Sequence, residues 1–137
     1  MIFEIDHLGI AVADLEKSLA FYRDILGATV ASQEFVPHEK INAAILPAGG
    51  SNASIELLEA TDPDSPIAKF IARRGPGLHH IALRVDDLSA TAAKLRAAGY
   101  EILDELRVGA GGHLYVFVHP RSTGGVLLEL VEQHAHS

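Results

Sequence analysis

The chain contains one unit twice. The segment DHLGIAVADL (6–15) returns as HHIALRVDDL (79–88), and SIELLE (54–59) returns as LLELVE (127–132), each 73 positions later. Forty-nine positions separate His7 from Glu56, and forty-nine separate His80 from Glu129. Each half must therefore fold the same way and bring one imidazole and one carboxylate to an equivalent place. Such a set reads as a metal site built around a pseudo-two-fold axis.

The text within each half is that of a small α+β module. Residues 3–12 alternate and read as a strand. Asp14 stands where an N-cap is needed, before apolar residues at Leu15, Leu19, Tyr22 and Leu26 that form one helical stripe, and Gly27 ends it. The second half repeats this with a strand at 77–85, a cap at Asp87, a stripe of Leu88, Ala92 and Leu95, and then Gly99. Three β-like runs follow each helix, at 28–36, 41–46 and 53–60, and again at 100–107, 113–118 and 126–132. The order is βαβββ in both copies, module 1 over about 3–60 and module 2 over about 77–132, in a single domain of 1–137. In the linker, about 65–75, Ser65-Pro66 reads as an N-cap with proline in the first turn and Gly75 as a stop, so a short helix is expected at 66–74.

Strand alternation places the candidate ligands. Ile5, His7, Gly9 and Ala11 share one face, and Leu78, His80, Ala82 and Arg84 share the corresponding one. Each histidine is followed two positions on by a small residue, which leaves room beside the imidazole. Glu56 and Glu129 each stand between aliphatic neighbours, and a carboxylate on the core side of a strand is costly unless it is paired or bound to a cation. Taken singly, any of the four is an ordinary structural or solvated side chain; the matched spacing favours metal. Asp6, Glu59 and Glu132 fall on the other face or at strand ends and are expected to be solvated. His79 points away from His80 and reads as structural or supporting, while His134 and His136 belong to a polar tail. Two imidazoles and two carboxylates suit one divalent ion per chain, Co²⁺ first, with Mn²⁺, Ni²⁺, Zn²⁺ or Fe²⁺ as alternatives. An octahedral ion held by four side chains keeps two positions for a chelating substrate.

Composition removes other classes. The net charge of −7 argues against a nucleic-acid surface, which needs clustered Lys and Arg. With no cysteine there is no disulfide frame and no thiolate ligand or nucleophile. MIFEIDHLGI lacks the pattern of a secretory signal, and no apolar run approaches the roughly 18 residues that cross a bilayer. A soluble, cytoplasmic protein is expected, with neither nucleic acid nor membrane as partner.

IDHLGIAV, LAFYRDILG, IELLE, GLHHIALRVDDL and HPRSTGGVLLEL together resemble the vicinal oxygen chelate superfamily, the glyoxalase/bleomycin-resistance-like fold. Within it, the GLHHIA and GGVLLEL segments with DSPIAKF (64–70) resemble the methylmalonyl-CoA epimerase family. The resemblance runs from about residue 3 to 132 and implies paired βαβββ modules in a curved mixed sheet, a metal-binding cup and a homodimer. Carried over by position, it implies His7, Glu56, His80 and Glu129 as metal ligands, an acyl-CoA substrate, and inversion of the carbon between thioester and carboxylate. Some relatives have Gln where Glu56 stands. Glu129 is the first candidate for one of the two proton carriers. Some relatives place a second in the strand after the turn, where this chain has Ala43, which cannot transfer a proton; His38 and Glu39 in the nearby turn and His113 in the glycine-rich loop of the second module are the other candidates.

Related epimerases tend to show a GAHGK-like text where this chain has VGAGGH (108–113), which makes Gly111, Gly112 and His113 candidate substrate contacts. The alternative is a plain hairpin. Arg73, Arg74, Arg107 and Arg121 are candidates for the coenzyme A phosphates. A glyoxalase I-type lactoylglutathione lyase is the nearest rival function, disfavoured by DSPIAKF and GGVLLEL. A fourth ligand-like residue, Glu56, counts against an extradiol dioxygenase, and matched ligands count against a metal-free small-molecule-binding protein of the same fold.

Overall fold

The computed structural model describes residues 3–108 and 112–132. Residues 7–79 form one compact unit, and the described parts of 1–6 and 80–137 form the other.

In the unit of residues 7–79, β1 (Glu4–Ala11, entering at His7) pairs in parallel with β4 (Ser54–Ala60). β3 (Ile41–Pro47) runs antiparallel to β4, and β2 (Ser32–Val36) antiparallel to β3. The strand order is β2-β3-β4-β1. Asp14 is in an extended conformation and its side chain accepts the Lys17 N–H, starting helix α1 (Leu15–Leu19). Helix α2 (Pro66–Arg74) begins at Ser65, whose hydroxyl accepts the Ile67 N–H, and ends at Gly75, which takes φ 78°. Val12, Leu15, Leu19, Ala44, Leu46 and Leu57 make the core of this unit.

In the other unit, β5 (Gly77–Val85, entering at His80) pairs in parallel with β8 (Leu128–Glu132). β7 (Leu114–Val118) is antiparallel to β8, and β6 (Ile102–Val108) is antiparallel to β7, giving β5-β8-β7-β6. Asp87 accepts the Ala90 N–H and caps helix α3 (Leu88–Ala97), three positions from cap to donor as in α1. The core is Val85, Leu88, Val116, Val118 and Leu130. Both units are βαβββ, and Val12, Leu15 and Leu57 of the first have Val85, Leu88 and Leu130 as their counterparts 73 positions on.

The repeat is not uniform. Helix α1 continues directly into a π-helix over Ala20–Ile25, where the Leu26 N–H bonds to the Phe21 carbonyl five residues back. From the capping Asp to the terminal Gly the first copy spans 14–27 and the second 87–99, so the first carries one extra residue, and the π-turn absorbs it. Beyond this point the copies are related by 72 positions: Ala44 and Leu46 occupy the core places of Val116 and Val118. The connection between β7 and β8 is one residue longer than that between β3 and β4 and restores the offset of 73 at Glu56 and Glu129.

This slip corrects the expected stripe. Leu15 and Leu19 are buried and Tyr22 packs on the core, but Leu26 is 62% exposed. Four or more residues per turn in the π segment carry the last position off the buried face. The strand runs expected from residues 28, 100 and 126 begin later, at Ser32, Ile102 and Leu128. Their first residues are used in turns: Ala28 and Tyr100 donate back to the helix ends, and Gly124 and Gly125 take positive φ after a 3-10 turn at Pro120–Ser122.

Candidate metal centre

Each unit presents one buried imidazole in contact with one buried carboxylate. His7 Nδ1 lies 3.1 Å from Glu56 Oε2, and His80 Nε2 lies 2.9 Å from Glu129 Oε1. His7, Glu56, His80 and Glu129 are 4%, 8%, 6% and 7% exposed, and with Ser65 they make up the buried polar set among the described residues.

Strand register explains the pairing. Gly9 stands directly across from Glu56 in β1 and β4, and Ala82 directly across from Glu129 in β5 and β8. Side chains two apart on one strand share a face. A residue with little or no side chain opposite each glutamate lets the carboxylate lean along the neighbouring strand to the histidine two positions earlier. The small residues that alternation placed beside each imidazole are therefore the ones that admit the carboxylate.

The donor set fits a divalent ion by charge and by chemistry. A buried carboxylate in an apolar strand requires a compensating positive charge. An imidazole provides that only when protonated, whereas a divalent ion offsets a carboxylate and accepts the lone pair of a neutral imidazole.

Phe117, which lies across from Glu129 on β7, sets its ring edge-to-face with His80 at 5.6 Å, and Tyr115 meets Phe117 in the same way at 5.6 Å. Strand alternation alone does not single out either aromatic. His79 packs edge-to-face on Phe70 at 4.9 Å, a structural contact. Ala43 is fully buried in β3. His38 and Glu39 lie beside each other in the β2–β3 turn, Nε2 to Oε2 3.7 Å. Gly112 takes φ 77° and His113 is half-buried just before β7, while Gly111, His134 and His136 lie outside the described residues.

Three acidic residues expected to be solvated have partners. Glu59 accepts the Leu15 N–H at 2.8 Å, and Glu132 accepts the Leu88 N–H at 3.1 Å. Asp6 accepts from Arg84 Nε and Nη2 at 2.9 and 2.8 Å, and Glu4 accepts from Nη1 of the same guanidinium at 3.0 Å. Alternation assigns a side of the sheet but cannot show that a helix N-terminus waits there with unsatisfied N–H groups. Among the candidate phosphate contacts, Arg121 donates to Glu101 at 2.7 Å, a hydrogen bond that holds the Glu101 carboxyl below its usual range, and Arg74 lies over the Phe70 ring at 6.0 Å.

Residues 6–117 match the family model of the glyoxalase/bleomycin resistance protein/dioxygenase superfamily. The chain is 39% identical over 128 residues to the human mitochondrial methylmalonyl-CoA epimerase, a match covering 92% of this chain and 72% of that protein. The chain belongs to the methylmalonyl-CoA epimerase family. Among solved members, the Mycobacterium tuberculosis methylmalonyl-CoA epimerase is 42% identical with a TM-score of 0.90, covering 96% of this chain and 88% of that one. A substituted Streptomyces coelicolor methylmalonyl-CoA epimerase, solved in complex with 2-nitronate-propionyl-CoA, is 39% identical with a TM-score of 0.88, covering 96% and 97%. No helix of the described residues is long and apolar enough to cross a membrane.

Proposed function

We propose that this protein interconverts the two epimers of methylmalonyl-CoA, and that His7, Glu56, His80 and Glu129 together hold one divalent metal, Co²⁺ first among Co²⁺, Mn²⁺, Ni²⁺, Zn²⁺ and Fe²⁺. The observation that carries this reading is the pair of buried His–Glu contacts at equivalent positions of the two units, in a chain of the epimerase family. When bound, the ion supplies a Lewis acid that favours negative charge on the substrate's thioester and carboxylate oxygens.

The chain's own residues then have to move one proton off the carbon between those two groups and return one to its opposite side. Glu129 is the first candidate for one carrier: it is a carboxylate held in place by His80 at 2.9 Å and by a strand whose neighbours are apolar. Gly112 and His113 are proposed to meet the acyl-CoA from the loop before β7, with Gly111 beside them in sequence. The active species is proposed to be a homodimer in the cytoplasm.

Incubation of the metal-loaded protein with methylmalonyl-CoA in D₂O tests this directly. Deuterium should enter at the α-carbon at catalytic protein concentrations. No exchange with metal bound would defeat the epimerase reading.

A further inference from the structure

We propose that Phe117 is a positioning residue for the metal centre: its ring fixes the plane of the His80 imidazole. The inference rests on the reading of His80 as a metal ligand given above.

Strand register brings the two rings together. Phe117, Glu129 and His80 come from three successive strands, β7, β8 and β5. Phe117 stands directly across from Glu129. On the other side of β8, Ala82 stands across from Glu129, with His80 two residues before it. The three side chains therefore share one face of the sheet, and Val116 and Val118 take the opposite face of β7 in the core under α3. The Phe117 and His80 rings meet across β8, with centroids 5.6 Å apart and planes at 84°.

The imidazole is thus held by two contacts that constrain different motions. Glu129 Oε1, 2.9 Å from Nε2, limits where that nitrogen lies. A contact at one atom still leaves rotation about the bond from Cβ to the ring, a torsion whose wells are broad. A ring set nearly perpendicular to the imidazole opposes that rotation, and edge-to-face aromatic pairs contribute beyond the area they bury. An imidazole ligand offers its lone pair in the plane of its ring, so the neighbours that orient the ring contribute to metal affinity. Phe117 is itself braced: Tyr115, 4% exposed, meets it edge-to-face at 5.6 Å and 77°. The series Tyr115–Phe117–His80 carries the packing of a buried strand to the ligand.

The repeat supplies its own control. Across from Glu56 on β3 lies Ile45, the counterpart of Phe117 72 positions earlier. An aliphatic side chain fills that place, so the ring at this position belongs to one His–Glu pair and not to the other.

Three substitutions test the assignment. Phe117→Leu removes the ring and keeps an apolar side chain, Phe117→Tyr keeps the ring, and Ile45→Leu is the matched aliphatic change in the other unit. Each full-length protein, freed of metal by a chelator, is titrated calorimetrically with Co²⁺. Phe117→Leu is expected to raise Kd about 3- to 10-fold, with Phe117→Tyr and Ile45→Leu within about twofold of the parent. Isotope-labelled histidine, with the His80 signals assigned by their loss in His80→Gln, reports each imidazole by NMR in the metal-free protein. In Phe117→Leu the His80 ring signals are expected to move or broaden while those of His7 hold their positions, a selectivity that general destabilisation does not produce. A Kd for Phe117→Leu within about twofold of the parent overturns the assignment. So does an equal loss of affinity in Phe117→Tyr, or an equal displacement of the His7 and His80 signals, which marks a merely structural role. If the unsubstituted protein binds no Co²⁺, the reading of His80 as a ligand falls and the positioning role with it; if it binds Co²⁺ and Phe117→Leu binds as tightly, the positioning role falls alone.

Discussion

The Glu59 carboxylate accepts the Leu15 N–H at 2.8 Å, tying the end of β4 to the first turn of α1. Glu132 does the same for Leu88 at 3.1 Å, 73 positions on. These glutamates stand three residues beyond Glu56 and Glu129, on the other side of the same strands. The duplicated unit thus brings two carboxylates per copy to opposite faces of one strand, one toward the imidazole and one toward a helix N-terminus, where N–H groups need an acceptor. Replacing Glu59 or Glu132 by Ala is expected to cost about 1 kcal/mol each, as loss of a cap does. Chemical denaturation would show it, with Co²⁺ binding by calorimetry unchanged.

Gly9 should be intolerant of bulk. A valine there would set a branched side chain on the face where Glu56 reaches across to His7. Gly9→Val is expected to weaken Co²⁺ binding at least tenfold while leaving the circular dichroism of the apo protein close to that of the parent. Ala82→Val, across from Glu129, should act in the same direction.

Metal removal should destabilise the fold. An ion that binds the native chain alone adds about 2.7 kcal/mol when its free concentration is 100 times Kd. Treatment with a chelator is therefore expected to lower the unfolding midpoint, and Co²⁺ to restore it. Protons compete with the ion for the same imidazoles and carboxylates, so binding should weaken as pH falls. Titration calorimetry at several pH values, with proton release read from buffers of different ionisation enthalpy, checks both statements.

The π-turn makes a contrast between two leucines of one apparent stripe. Leu19 is fully buried in the first core and Leu26 is largely exposed. Leu19→Ala is expected to cost about 2–5 kcal/mol, and Leu26→Ala within about 0.5 kcal/mol of zero. Equal losses in urea denaturation would refute the placement of Leu26.

Much of this was legible in the text. The equal His-to-Glu spacings, the capping Asp14 and Asp87, the Ser65-Pro66 helix start and the small residues Gly9 and Ala82 are local signals, and each followed from alternation, capping or turn chemistry. The family also followed from motifs spread along nearly the whole chain. What local pattern could not supply was the partner of a side chain whose neighbour is distant in sequence. Asp6, Glu59 and Glu132 look solvated until Arg84 and two helix N-termini are brought against them.

The duplicated βαβββ order, the buried strand faces and the four buried His and Glu positions follow from the text alone, because periods of two and 3.6 residues dictate which side chains share a face. Where the repeat slips emerges only from the folded chain. One added residue in a helix changes its winding rather than its ends, so the extra position appears in the text as an ordinary helical stripe. Only strand pairing shows that Phe117, and not Val118, stands in the place of Ile45.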